Sequence, residues 1–200
     1  MAVLLTVFAH SANAQKGTFK FDLNYNYSLP LSSFKNDIIS KGSAAGGTGG
    51  VQYFINDKFA VGLGAGYQNF SQSYGRALYA LSKTQTVSAV RSEQVELTPV
   101  IAKATFLPLA NKGLVQPYIT AGAGASFVMY NEYLGEFSSI QKNSTAFTAQ
   151  AGAGVLIPFG KLSESGIRLG ADYNYTPYKE FGYSNLNTLN IHAGLFFPLR

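Results

Sequence analysis

A strict alternation of apolar and polar residues constrains the fold of this chain more than any other feature of its sequence. From Phe19 to Leu29 every second residue is apolar, and the residues between them are polar. A period of two places successive side chains on opposite faces of a β-strand, whereas helix side chains repeat about every 3.6 residues. The segment therefore predicts a strand with one apolar face and one polar face.

The same alternation recurs along the chain and predicts eight strands in all. The further segments lie near 51–55, 59–67, 94–107, 118–130, 147–157, 167–176 and 188–197. Long connections, near 30–45, 71–92, 131–144 and 177–187, alternate with shorter ones near 56–58, 108–116 and 160–165. Long loops at one end of an even-stranded meander, with strands of about 9 to 11 residues, are typical of membrane barrels. The sequence predicts an all-β, eight-stranded antiparallel up-and-down transmembrane β-barrel.

Three of the strands carry glycine at every second position, at Gly62, Gly64 and Gly66, at Gly122 and Gly124, and at Gly152 and Gly154. A phosphate-binding glycine loop lies between a strand and a helix, but no helical periodicity flanks these runs. The interior of an eight-stranded barrel is only just wide enough for side chains. We therefore predict that the glycines face a crowded lumen, with the alternating alanines toward lipid.

The fourth strand departs from this regularity. Val95, Leu97 and Ile101 form an apolar face opposite Glu96. Lys103 is out of phase with that polar face, which predicts a β-bulge in the second half of the strand.

Composition excludes several classes of protein. Charged residues make up 12% of the chain, against about 25% in a typical soluble domain. Cysteine is absent, so disulfides and thiolate metal sites are excluded. The net charge of +5 is spread along the chain without a basic run between aromatics, so we expect no nucleic-acid binding. We also expect no cofactor and no metal.

Residues 1–14 form an apolar run ending in Ala12-Asn13-Ala14, which predicts a signal peptide, export, and a barrel domain over 15–200. The usual positive N-terminal region is missing, so a buried N-terminal helix is the alternative. The predicted location is the cell outer membrane.

Alternation also fits a soluble barrel of lipocalin type, whose apolar face lines a ligand cavity. In that case the polar face would meet water and carry many charges, whereas here it is mostly Gly, Thr, Ser, Asn and Gln. Aromatics on the apolar face favour the membrane barrel, because they mark the two membrane boundaries. The predicted inner girdle is Phe19, Tyr53, Phe59, Phe159 and Phe197, and the outer girdle is Tyr27, Tyr67, Phe127, Met129, Tyr173 and Tyr175.

The segments 59–67 (FAVGLGAGY), 117–124 (PYITAGAG) and 189–197 (LNIHAGLFF) resemble the small eight-stranded outer-membrane β-barrel proteins of OmpA, OmpX and opacity-protein type. The resemblance covers nearly all of the chain after the predicted signal peptide. It implies a monomer in contact with outer-membrane lipids and lipopolysaccharide. It also implies assembly by the outer-membrane barrel machinery, through a terminal aromatic that is here Phe197 followed by Pro198-Leu199-Arg200.

The polar face carries a small set of ionisable residues, namely Lys20, Asp22, Glu96, Arg168, Asp172 and His192. In a closed barrel the last strand lies between the seventh and the first, so all but Glu96 can converge in the lumen. The simpler interpretation is mutual neutralisation, because an unpaired buried charge is costly. The alternative is a gated polar path through the barrel.

The long loops are the expected place of function, because the barrel is a generic scaffold. Loop two contains the contact candidates Tyr74, Arg76, Tyr79 and Arg91, a mixture common in binding surfaces. They could engage lipopolysaccharide or a surface ligand, or they could pack on the barrel rim. His192 is the only histidine after the signal peptide and no G-x-S-x-G motif occurs, so we expect no enzyme.

The prediction is a non-enzymatic outer-membrane barrel acting in membrane integrity or surface interaction through its loops. The alternative is a narrow porin-like channel or carrier for small or apolar solutes.

Overall fold

The computed structural model describes residues 17–80, 86–109, 114–135, 137–160, 163–179 and 184–199. The predicted signal peptide, residues 1–14, lies outside these ranges. No helix within them is long and apolar enough to span a membrane.

The described residues form ten strands, and eight of them close into an antiparallel barrel. The strands are β1 (Phe19–Pro30), β2 (Gly46–Phe54), β3 (Phe59–Ser73), β4 (Ala77–Ala80), β5 (Thr86–Ala89), β6 (Arg91–Phe106), β7 (Gln116–Leu134), β8 (Phe137–Pro158), β9 (Gly166–Tyr175) and β10 (Thr188–Leu199). Around the barrel the order is β1-β10-β9-β8-β7-β6-β3-β2, and β4 and β5 form a separate hairpin. The predicted eight-stranded up-and-down barrel is confirmed.

The apolar face of nearly every strand points outward. In β1, Leu23 and Tyr25 are 58% and 59% exposed. Asn24, which lies between them, and Asn26, which follows Tyr25, are 5% and 1% exposed. The predicted girdle aromatics face outward as well, and some of them pair, with the ring centroids of Phe19 and Tyr53 4.9 Å apart. A soluble barrel with an inward apolar lining is therefore not the architecture of this chain.

The barrel wall is much taller on one side. β7 and β8 have 19 and 22 residues, whereas β9 and β10 have 10 and 12. The region 131–144, predicted as a loop, is mostly a strand ribbon that is irregular between Glu132 and Tyr133. Since about 10 residues cross the membrane, this ribbon rises well beyond it.

The predicted bulge at Lys103 does not occur. β6 keeps a constant register with β3 and with β7 along its length, and Lys103 pairs with Gly62 and Gly122. Instead, the apolar residues Val95 and Leu97 are buried inside the barrel, 1% and 3% exposed. Lys103 shares the lumenal face of β6 with Val95 and Leu97, so the strand alternates regularly and needs no bulge.

Candidate functional site in the barrel lumen

A layer of charged and polar side chains occupies the middle of the lumen. Arg168 Nη1 of β9 lies 3.5 Å from Asp22 Oδ1 of β1, and both side chains are at most 5% exposed. Asn24 and Gln52 each donate a hydrogen bond of 2.9 Å to the Asp22 carboxylate. These neighbours neutralise and solvate a carboxylate that would otherwise be buried at high cost.

A chain of hydrogen bonds extends from this pair across the lumen. Arg168 Nε donates to the hydroxyl of Tyr118 over 3.1 Å, and the guanidinium lies 4.4 Å from the centre of that ring. The same hydroxyl lies 2.9 Å from His192 Nε2, and His192 Nδ1 lies 3.1 Å from Asp172 Oδ2. Both nitrogens of His192 are thus occupied within the layer.

The alternating glycines make room for these side chains. A Cβ at Gly170 would lie 2.5 Å from the Tyr118 hydroxyl and 2.8 Å from His192 Nε2. A Cβ at Gly152 would overlap the Asp172 carboxylate, and one at Gly64 would overlap the end of Lys103. The prediction that the glycines face a crowded lumen is confirmed.

Two lysines complete the polar layer. Lys20 is 6% exposed, and its ammonium lies 4.7 Å from the ring centre of Phe54 and 5.7 Å from that of Phe196. A cation over an aromatic face is stabilised by the ring quadrupole. Lys103 lies on the lumenal face of β6 between two glycine-bearing strands.

The structure thus brings together Asp22, Arg168, Asp172 and His192, with Lys20 at the edge of the group. Glu96 lies outside this group, as expected, but its predicted place on the lumenal face is wrong. It lies on the outer face of β6, where the amide of Gln94 donates to its Oε1 over 2.8 Å. Tyr118 was missed, although its position on the same face of β7 as Gly122 and Gly124 marks it as lumenal.

An apolar layer covers the outer side of the polar layer. Loop one, residues 31–45, folds into the barrel mouth with a short π-helical turn, Phe34–Ile38, and buries Phe34 and Ile38 at 0% and 3% exposure. The loop is tied to the rim by Ser40, whose backbone N–H donates to Gln72 Oε1, and by Tyr74, whose hydroxyl donates to the carbonyl of Ile38. The outer layer comprises Phe34, Ile38, Ile39, Phe70, Val95, Leu97, Val128, Tyr130, Ala146, Tyr178 and Leu186.

A second apolar layer closes the opposite, turn-bearing end of the lumen. It comprises Phe54, Ala60, Leu107, Tyr118, Leu156 and Phe196. A cavity beside Lys20, Asp22 and Arg168 offers about 20 Å³, which is room for a water molecule. Within the described ranges no group of three or more His, Asp or Glu side chains is placed to hold a metal.

Two of the four loop-two candidates belong to an internal network at the outer rim. Arg91 lies 2.5 Å from Glu93 and 3.1 Å from Glu132, and the hydroxyl of Tyr74 donates to Glu93 over 3.1 Å. Burial by itself lowers the pKa of Arg91, but the carboxylates of Glu93 and Glu132 outweigh it and raise that pKa above its ordinary value. Arg76 is exposed, and Tyr79 belongs to the β4–β5 hairpin. A contact role for these residues stays a prediction.

A closed antiparallel barrel with an apolar, aromatic-ringed exterior and a polar interior defines the class of bacterial outer-membrane β-barrel proteins. The chain belongs to the family described as outer membrane protein beta-barrel domain, which matches residues 1–197. Family and fold together indicate an outer-membrane location.

Two solved structures share the fold. Neisserial surface protein A is 15% identical with a TM-score of 0.57, covering 90% of this chain and 96% of its own. The N-terminal β-barrel domain of Pseudomonas aeruginosa OprF is 14% identical with a TM-score of 0.52, covering 92% of this chain and 100% of its own. A search of curated protein sequences gives no match.

Proposed function

We propose that this protein is a non-conducting, non-enzymatic outer-membrane barrel that acts in membrane integrity or surface interaction through its tall outer wall and loops. The single observation that carries the proposal is the pair of apolar layers above and below the lumenal charges. Ions do not cross closely packed apolar layers readily, because burying an unpaired charge costs several kcal/mol or more.

The same packing supports the proposal that the protein is not an enzyme. The His192 ring is held between Tyr118 and Asp172, and the adjoining cavity of about 20 Å³ leaves no room for a substrate. A nucleophile and its base must reach a bound substrate to act. The partners we propose are outer-membrane lipids, lipopolysaccharide, the barrel assembly machinery and a surface ligand bound through the loops, with the chain acting as a monomer exported by its signal peptide.

Single-channel recording in planar bilayers tests the sealed lumen. The refolded protein is expected to give no stable conductance above the lipid background. Recordings with defined, long-lived open levels would overturn the proposal. A parallel assay of detergent and antibiotic sensitivity in cells with and without the protein measures its contribution to membrane integrity.

The second candidate function is a narrow, gated channel. It is favoured by the distance of 3.5 Å between Arg168 and Asp22, which is long for an ion pair, and by Lys103 on the same lumenal face. A gate of this kind would open when Asp22 exchanged one cation for the other. Arg168→Ala should then change conductance, and equal current through both forms would rule out the gate.

A further inference from the structure

The outer wall of the barrel carries a groove that the lumenal layers do not use. It has a volume of about 370 Å³, within the range of ligand sites. Its outward-facing lining residues are Glu96, Thr98, Phe127, Met129, Asn143 and Thr145. The register places Glu96 beside Met129 and Asn143, and Thr98 beside Phe127 and Thr145, across three neighbouring strands.

The groove lies at the outer boundary of the membrane. Phe106 pairs with Phe59 of the inner girdle, and Glu96 lies on the same face of β6 toward the other end. About ten residues of a tilted strand rise roughly 25 Å, which is the height of the apolar band. Tyr67 and Phe127 of the outer girdle flank Glu96 and Thr98 at this level.

One row of residues, Val100, Ala125 and Phe147, separates the groove from a smooth alanine wall nearer the membrane centre. Ala102, Ala123 and Ala149 lie side by side on β6, β7 and β8, and Ala104, Ala121 and Ala151 form the next row. Elsewhere the lipid-facing surface carries bulky side chains such as Leu23 and Leu63. Past the row of Val100 and Phe147, the groove therefore leads to a flat, lipid-contacting surface.

The chemistry of the groove selects its ligand. Glu96 is held in place by the amide of Gln94, which donates a hydrogen bond to its Oε1. A carboxylate has about four acceptor sites, so it can still accept hydrogen bonds from a ligand. The lining residues include no Lys or Arg to receive a phosphate, and a negative carboxylate repels one.

We propose that this groove binds a glycolipid of the outer leaflet, with its sugar hydroxyls on Glu96 and Asn143, its ring against Phe127, and its acyl chains along the alanine wall. Several polar groups converge here, which suits a polyhydroxyl headgroup better than a single ammonium. Phe127 is 54% exposed and offers a ring face. This inference rests on the outer-membrane lipid contact of the proposed function, for which it names a site and a lipid class, and it does not depend on the lumen being sealed.

Methyl NMR of methionine provides a direct test, because the chain has only Met1 and Met129. The full chain, refolded in a zwitterionic detergent without sugars, is titrated with a diacylglycerol bearing one glucose. We expect a saturable shift of the Met129 methyl signal, assigned by Met129→Leu. Phosphatidylethanolamine and phosphatidylglycerol should leave the signal in place.

Variants then separate sugar recognition from general lipid contact. Glu96→Gln should weaken the glucolipid about five- to tenfold, because charge-assisted hydrogen bonds are about twice as strong as neutral ones. Tyr173→Phe, on the outer face of β9, is the matched control and should bind as the unaltered protein does. An equal shift with phosphatidylethanolamine or phosphatidylglycerol, no shift with the glucolipid, or undiminished binding by folded Glu96→Gln would each overturn the assignment.

Discussion

At the residue scale, one hydroxyl holds the lumenal polar layer together. Tyr118 receives a hydrogen bond from Arg168 and shares another with His192, so it links the Asp22 and Asp172 ends of the network. Its ring also belongs to the inner apolar layer. A single side chain therefore serves both the polar and the apolar packing of the lumen.

Replacing Tyr118 by Phe keeps the ring and removes the hydroxyl. We expect a loss of about 1–3 kcal/mol in the free energy of unfolding, because the buried Nε–H of Arg168 and the buried Nε2 of His192 lose their hydrogen-bond partner. Urea titration in lipid vesicles, followed by the boiling-dependent gel shift, measures this loss. Tyr25→Phe on the lipid face is the control and should stay within about 0.5 kcal/mol of the unaltered protein; equal losses in both would contradict the role of the hydroxyl.

The lumenal glycines are a second residue-scale feature. Gly170→Ala places a methyl group against Tyr118 and His192, and overpacking of this kind typically costs about 1–3 kcal/mol. Gly160→Ala meets nothing within 4 Å and is the matched control, expected to be neutral or slightly stabilising. The same unfolding titration compares the two variants. If Gly170→Ala leaves the free energy of unfolding unchanged, the lumen has room for an extra methyl group at this position.

At the element scale, loop one acts as a plug because it buries apolar side chains in the barrel mouth. The rings of Phe34 and Phe70 meet edge to face with centroids 4.9 Å apart. Hydrogen bonds of Leu31, Ser33, Ser40 and Ser43 tie the loop to the rim, and the apolar packing holds its middle in the barrel mouth.

The double substitution Phe34→Ala and Ile38→Ala should release the plug. Each truncation of a buried side chain costs about 2–5 kcal/mol, more than a short loop can tolerate. Swelling of protein-containing liposomes in a small sugar should become faster, and proteinase K should cut between residues 31 and 45. Leu78→Ala on the exposed β4–β5 hairpin is the control. If liposomes with the double variant swell no faster than those with this control, and proteinase K cuts it no faster, loop one is not the seal.

The outer rim network is the other element-scale feature. Arg91→Ala leaves Glu93, only 3% exposed, without its cation. Because Arg91 itself is 35% exposed, solvent screens the pair, and we expect a loss of about 1–2 kcal/mol. Hydrogen exchange should accelerate at the outer ends of β6 and β7. Arg76→Ala is the control and should leave exchange there unchanged. Similar exchange rates in both variants would show that the network does not stabilise the wall.

At the scale of the whole molecule, the exterior requires a lipid or detergent environment. Residues 15–200 refolded with detergent should migrate differently on a gel before and after boiling, because a closed barrel resists dodecyl sulfate until heated. The same chain refolded without detergent should show no such shift. A stable, folded protein in water alone would contradict the assignment of the apolar face to lipid.

The alternation of residue types by itself determined the strands and most of their faces. In β1, β3, β7, β8, β9 and β10 the polar or glycine positions face inward as predicted. The convergence of β1, β9 and β10 also follows from barrel closure alone, which brings Asp22, Arg168 and His192 to one place.

Only the tertiary structure decided the faces of β6, the plug, the height of the β7–β8 wall and the position of Tyr118. Alternation shows that a strand has two faces, but it does not show which one is the lumen when both surroundings are apolar. The apolar side chains of Val95 and Leu97 can be buried equally well in lipid or in the outer apolar layer. That layer exists only because loop one, distant in sequence, folds back into the barrel mouth and supplies its partners.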